Sequence, residues 1–507
     1  MLRPSSLLLL LILVGVGLSM MLWYQGPPKV MAPTVVVKHA PREEPVVAAQ
    51  EPMAPNPLLP TPANAAQGSD ADKQIALLQN QVEYLHEQVQ ALQKENSDLI
   101  DKLAKLGMPA NGKPMKEESP PDKVPEDFVS LGAELLKLRE LEELPIPTVT
   151  APQAEIEKLI LAWMKRQHPE GFGEREGAAF AALGVIPQTI DTLPLRAALW
   201  VRQLGGWYDE ASETIYIVDP NKQPDGVPVM SDPTLALSYA NLLHHFGKSL
   251  LPGAKVALST DERMARLGLL GGDAALVRFL RDLKMFQGPN PNAIPTDDPD
   301  HPLNLVPMPA YLRELETFPM MSGFRFAQAM HSIGGFKQLS SVYGRAPEST
   351  ADVMDSQRYL AEDRLPIPRV EWSSIEVANT KPFWDDRLGQ QAVLGFLRRY
   401  NDDQSSLDAS RGWVSDRLLT YAINGDLTRR GHAVLQTQWK TPEQAAVFAK
   451  ALRESLRQFY DQGSVSDAFT AEGRFVRTQV LKDKVSVLMI DAATDGFAKE
   501  AQRVFSP

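Results

Sequence analysis

A chain of 507 residues is too long for one ordinary domain, and its net charge of −11 argues against a nucleic-acid or anionic-lipid binder. It contains no cysteine, which excludes disulfides, thiolate metal sites, thiol catalysis and a lipidated cysteine. The excess among its 41 prolines lies before residue 150, so a long extended region precedes the globular part.

The chain opens "MLRPSSLLLLLILVGVGLSMMLWYQGPPKV". Residues 7–23 carry no charge, and with their neighbours they reach the roughly 20 residues that span a bilayer. Arg3 precedes the run and no charge follows before Lys29, which puts the N-terminus in the cytoplasm and the rest outside. The bulky residues of "GLSMMLWYQG" disfavour a cleaved signal peptide, so residues 1–24 read as an uncleaved transmembrane anchor. The expected location is the inner (cytoplasmic) membrane, single-pass, with the bulk in the periplasm.

Residues 25–72 are a Pro/Ala-rich spacer without periodic apolar positions. Residues 73–106 then repeat every seven. Leu78, Leu85, Leu92, Leu99 and Leu106 form one seam, and Ile75, Val82, Val89, Asn96 and Leu103 form the other. Leu at d with mainly β-branched residues at a favours a two-stranded parallel coil, and the Asn96 pair fixes its register. A parallel homodimer follows, consistent with two chains rooted in one membrane. Residues 107–144 are a linker with a short amphipathic helix in "FVSLGAELLKLRELEEL".

Residues 145–507 form the globular part, with a mainly α (α+β) pattern. Helices are expected in "LILAWMKRQ", "LALSYANLLHHF", "ALVRFLRDLKMF", "QQAVLGFLRRY" and "PEQAAVFAKALRESLRQFY". Strands are expected in "ETIYIVD", "HAVLQTQWK", "FVRTQVLKD" and "KVSVLMID". No repeat and no glycine-rich phosphate loop is present.

Between about residues 195 and 460, landmarks occur in an ordered series: "GGWYDEASETIYIV", "TLALSYANLLHHF", "LGLLGGDAALVRFL", "FPMMSGFRFAQAMHSIGGFKQLSSVYGRAPESTADVMDSQRYL", "ASRGWVSDRLLTY" and "QTQWKTPEQAAVFAKAL". The series resembles a bacterial family of HExxH…EGDA zinc-metallopeptidase-like envelope proteins. That resemblance implies a zincin-like helical peptidase-type domain with a few strands. It also implies where the chemistry would sit. Leu237 falls at the first His, Ser238 at the catalytic Glu, Asn241 at the second His and Gly271 at the third-ligand Glu. None of the four can do the corresponding work, because zinc needs imidazole or carboxylate donors and its water needs a general base.

His244 and His245 do not replace the lost ligands, since adjacent helical residues point about 100° apart. The chain holds no His-x-x-x-His pair. No metal and no cofactor are therefore expected. Tyr239, His244, Asp273, Trp413, Asp416 and Arg417 are candidates for lining an inherited cleft. Asp273 is expected to bridge helices, Asp416 and Arg417 to pair with each other, and Trp207, Trp413 and Trp439 to fill the core. In "STDERMARL", Ser259 or Thr260 reads as an N-cap with Asp261 and Glu262 in the first turn. The Ser-Thr pair of "PESTADVMD" reads as another cap.

The resulting expectation is a membrane-anchored, extracytoplasmic, dimeric pseudo-peptidase that binds or scaffolds in the cell envelope. An active hydrolase with relocated ligands, such as His244 and Asp273, and a coiled-coil scaffold with no functional cleft are the alternatives.

Overall fold

The computed structural model describes residues 128–505, except 143–145, 223–232, 254–255, 257, 285–300, 302, 362–365, 372–374 and 465. The anchor at 1–24, the spacer at 25–72, the heptad seam from Ile75 to Leu106 and most of the 107–144 linker lie outside the described residues. Among the described residues, no helix is long and apolar enough to cross a membrane.

The fold is α+β and helix-dominated. It begins with α1 (Phe128–Leu138), β1 (Thr148–Ala151), α2 (Gln153–Gln167), α3 (Phe172–Leu183) and α4 (Thr192–Leu204). Next come β2 (Gly206–Asp209), β3 (Thr214–Val218), α5 (Pro233–Leu250), α6 (Thr260–Lys284) and the long α7 (Ala310–Gly344). Two short helices, α8 (Thr350–Met354) and α9 (Ser356–Leu360), lead to β4 (Thr380–Asp386), α10 (Gln390–Arg398) and α11 (Asp403–Ser410). The chain ends with β5 (Trp413–Ile423), β6 (His432–Trp439), α12 (Pro442–Phe459), β7 (Ala468–Ala471), β8 (Arg474–Val480), β9 (Ser486–Ala492) and α13 (Asp495–Phe505).

Globular packing starts earlier than residue 145. Leu131, Leu135 and Leu136 of α1 are buried, the first two in the main core, and α1 packs against α5. The 131/135 spacing of four puts two of these leucines on one face of the helix. The short amphipathic helix is thus a packed element of the domain.

A small sheet has the order β1-β3-β2, with β1 parallel and β2 antiparallel to β3. Trp207 on β2 meets Trp163 of α2 edge-on at 5.1 Å between ring centroids and lies 5.9 Å from Trp200 of α4. A larger antiparallel sheet has the order β4-β5-β6-β9-β8-β7. Its faces separate by strand alternation. Leu418, Leu435 and Met489 face the main core, with Phe448 and Leu452 of α12. Leu419, Val434, Leu488 and Ile490 pack instead with Phe497, Ala501 and Phe505 of α13. Burial on both faces explains the unbroken apolar run in "SVLMI". β4 and β5, which carry the charged sequences "TKPFWDD" and "WVSDRLLTYAI", enlarge the sheet beyond the strands expected from alternation.

Helices α6 and α7 approach at glycines. A Cβ on Gly272 would lie 2.1 Å from the Gly323 carbonyl carbon, and one on Gly323 would lie 2.1 Å from the Gly268 oxygen. A methyl has no room there, whereas Gly132 of α1 has nothing within 4 Å of its Cβ position. Gly272→Ala is expected to lose at least about 3 kcal/mol of stability from overpacking, or to fail to fold. Gly132→Ala should gain up to about 1 kcal/mol from helix propensity. Denaturant unfolding of the two variants side by side checks this contrast.

Candidate functional site

Leu237, Ser238, Asn241 and Gly271, the positions that the resemblance assigns to zinc chemistry, lie in the core. Leu237, Ser238, Tyr239 and Asn241 of α5 are all buried, the most exposed of them at 5 %. Ser238 and Asn241 face a void of about 10 Å³ closed by Leu135, Leu136 and Arg139 at and just beyond the end of α1. A Cβ on Gly271 would stand 3.1 Å from the Pro319 Cβ of α7, a tight contact in which the neighbour would have to give by a few tenths of an ångström. The donor set does not fit zinc.

Asp273 bridges elements, as its sequence context suggests. Its carboxylate accepts from Arg139 Nε at 2.8 Å, Arg139 Nη2 at 2.8 Å and the Tyr343 hydroxyl at 3.0 Å. Both partners of the ion pair are nearly fully buried. Removing one member of such a pair strands the other charge in the interior at a cost of several kcal/mol. Arg139 therefore fastens the end of α1 over the face of α5 that carries Ser238 and Asn241.

His244 is half-buried, and its Nδ1 lies 2.8 Å from the Tyr208 hydroxyl. The ring of His245 stands at 88° to it, so the two imidazoles diverge. Among the described residues, no group of three or more His, Asp or Glu side chains is placed to hold a metal ion.

A cleft of about 610 Å³ opens elsewhere, where α2, α3, α4 and α6 meet the end of β4 and the start of β5. Of the candidate cleft residues, it includes Asp416 and Arg417; Tyr239, His244, Asp273 and Trp413 are not in its lining. Trp207, Trp413 and Trp439 fill the core. The Asp416–Arg417 pair is also corrected, because neighbouring strand residues point to opposite faces. Asp416 accepts from the backbone N–H groups of Leu388 at 2.6 Å and Gly389 at 2.8 Å, and from Trp413 Nε1 at 2.9 Å. Arg417 pairs with Asp385 at 2.7 Å and donates to the Val370 carbonyl.

One wall of the cleft is a buried charge network. Arg196 donates to Glu316 at 2.6 Å and pairs with Glu176, which Arg263 also reaches at 3.2 Å. Burial pushes the Glu176 carboxyl up, but Arg196 and Arg263 overcome this and hold it below the usual range. His168 stacks on Phe172 at 3.9 Å between centroids, and Phe172 meets Trp384 edge-on. Burial and the nearby Arg263 push His168 down to about 3, so its imidazole is neutral at physiological pH.

The α6 N-terminus carries the expected capping box. Ser259 Oγ accepts from the Glu262 N–H, and Glu262 reaches back to the Ser259 N–H. Asp261 does more than the first-turn role expected of it. Fully buried, it accepts from the Thr350 N–H at 2.7 Å, the Thr350 hydroxyl at 2.6 Å and Arg387 Nε at 3.0 Å. Ser349 caps α8. Gly389, at φ 89°, is needed here because a Cβ would lie 1.9 Å from Asp261 Oδ1.

Asp386 differs from these satisfied carboxylates. It is 7 % exposed and lines the cleft, and its Oδ1 caps α6 by accepting from the Thr260 N–H at 2.9 Å. Oδ2 has no hydrogen-bond partner among the described residues, and neither has the adjacent Trp384 Nε1. Both atoms are shielded from solvent, so each carries a desolvation cost. Sequence reasoning passed over Asp386, Trp384, Arg263 and His168. The aromatic and charged cluster "FWDDR" was the available signal.

Burial pushes Asp386 from 3.8 up to about 6, opposed by the hydrogen bonds from Thr260. A carboxyl raised on folding favours the folded state only while protonated, and that advantage is lost as pH rises through the folded value. At about 1.4 kcal/mol per pH unit, the interval from 3.8 to about 6 amounts to about 3 kcal/mol. Asp386→Asn, which is neutral throughout, should gain stability relative to the parent as pH climbs from about 4 to about 6, with a plateau above. Chemical denaturation of both proteins across that range checks the sign.

A family model described as a domain of unknown function (DUF8575) matches residues 372–501, the part of the chain that contains the six-stranded sheet and supplies the β4 and β5 side of the cleft. No curated protein and no solved structure matches the chain.

Proposed function

We propose that the chain is a membrane-anchored, extracytoplasmic, dimeric pseudo-peptidase of zincin-like ancestry that binds polypeptide without cleaving it. The observation that carries this reading is the filling of the inherited site. Leu237, Ser238 and Asn241 are buried, Gly271 abuts Pro319, and Arg139 locks onto Asp273 beside them. The donors that a relocated metal site would use are engaged elsewhere, His244 with Tyr208 and Asp273 with Arg139. The open cleft of about 610 Å³ falls in the size range of ligand sites and mixes aromatic walls with Arg175, Arg263 and Asp386. Two such domains on one parallel coil would gain avidity for a repeated or dimeric partner.

The test uses the full chain in detergent with fluorescein-labelled casein, an unfolded polypeptide, with and without zinc. Saturable binding without cleavage is the expected result. Val256→Trp places a bulky ring at an exposed cleft residue (51 % exposed) and should weaken that binding. Zinc-stimulated cleavage would contradict the proposal, and so would binding that ignores Val256→Trp.

A further inference from the structure

The cleft beside β4 is lined by six arginines and only four acids, Glu262, Asp385, Asp386 and Asp416, in a chain whose net charge is −11. Four of those arginines are committed to acids of the domain. Arg196 engages all three guanidinium nitrogens with Glu176 and Glu316. Arg387 pairs with Asp261, Arg417 with Asp385, and Arg369 lies 3.7 Å from Glu371.

Arg263 and Arg175 differ. Arg263 is 7 % exposed and reaches Glu176 through Nη2 alone, at 3.2 Å. Among the described residues its Nε and Nη1 have no hydrogen-bond partner, yet neither is sealed from solvent. Arg263 lines the cleft, so these N–H groups open onto it. No hydrogen bond joins Arg263 to Asp386, whose Oδ1 accepts from the Thr260 N–H instead. Arg175 of α3 is half-buried in the same lining, and among the described residues no group bonds or pairs with it. A buried guanidinium with unmet donors calls for an acceptor from outside the fold.

One ring stands beside both cations. Arg263 Cζ lies 5.9 Å from the centroid of Phe172. Arg175, three residues after Phe172 on α3, folds back until its Nη1 is 3.2 Å from the place a Cβ on Gly171 would take. His168 stacks on the same ring and is neutral, so the positive field at Phe172 comes from the arginines.

We propose that the cleft selects polypeptide segments bearing a carboxylate, which the open N–H groups of Arg263 and the guanidinium of Arg175 hold beside Phe172. Charge-assisted bonds of this kind are about twice as strong as neutral ones, and Arg matches a carboxylate well. The aromatic rings of Phe172 and Trp384, which meet edge-on, take the apolar groups that flank a carboxylate in a polypeptide. The carboxylate comes from an acidic side chain or from a C-terminus. The proposal rests on the polypeptide-binding reading and adds to it the charge class of the segment and two anchoring residues.

The experiment uses the full chain in detergent and decapeptides of randomised uncharged residues, carrying methoxycoumarin, an uncharged label. One pool ends in an amide, a second has a free C-terminus, and a third ends in an amide but carries a central Glu. Binding is read by fluorescence anisotropy. At least one carboxylate pool should bind about tenfold more tightly than the uncharged pool, and which one does so names the source of the carboxylate. Arg175→Gln and Arg263→Gln should each cut that preference by about tenfold. Arg175 is half-buried and unpaired, so its variant carries the test if Arg263→Gln does not fold. An uncharged pool that binds as tightly as both carboxylate pools would overturn the selection while leaving polypeptide binding intact. A preference that survives Arg175→Gln undiminished would overturn the two-arginine site. No binding of any pool would overturn the polypeptide reading and this inference with it.

Discussion

The distance between α6 and α7 is the constraint from which much of the domain follows. Glycines 268, 271 and 272 on α6 meet Pro319 and Gly323 on α7 with no space for a Cβ at the tightest points. So close an approach gains dispersion contacts along both helices and leaves no width for side chains between them. It also bears on chemistry, because the position resembling a third zinc ligand is one of these glycines. On the next residue of α6, Asp273 takes Arg139 from just beyond α1 and the Tyr343 hydroxyl from α7. A single stretch of α6 thus closes the helical layer on one side and fastens α1 over α5 on the other.

The buried acids around the cleft show why satisfaction matters more than burial. Asp261 and Asp416 each accept several hydrogen bonds and tie the turn at residues 387–389 to α6, α8 and β5. Their role is architectural. Asp386, a few residues away on the same turn's incoming strand, keeps one oxygen engaged with α6 and one buried without a partner among the described residues.

Much of the helical layer was legible because its apolar residues recur at the helical period, as in α5 and α12. The caps at Ser259 and Ser349 were legible from local chemistry alone. β9 could be read because an apolar run is shared by two faces. β4 and β5 were hidden by charge: Asp416 and Arg417 sit within β5 because most of their partners come from residues 27 to 47 positions away. The degenerate positions in α5 and α6 were visible as residue types. That α1 seals them was not, since the Arg139–Asp273 pair spans 134 residues. Asp386 was invisible for a related reason. What sets it apart is an oxygen left without a partner, and unmet contacts leave no mark on a linear sequence.

The central claim is that the working surface is the cleft beside β4 and not the α5 helix. Its most direct test places a photo-crosslinking residue at Phe383, in the cleft, and in a separate protein at His244, on α5. Each full-length protein is then irradiated with radiolabelled unfolded casein. The account expects adducts from position 383 and none above background from position 244. Adducts from 244 alone would place function on the α5 helix and contradict the account.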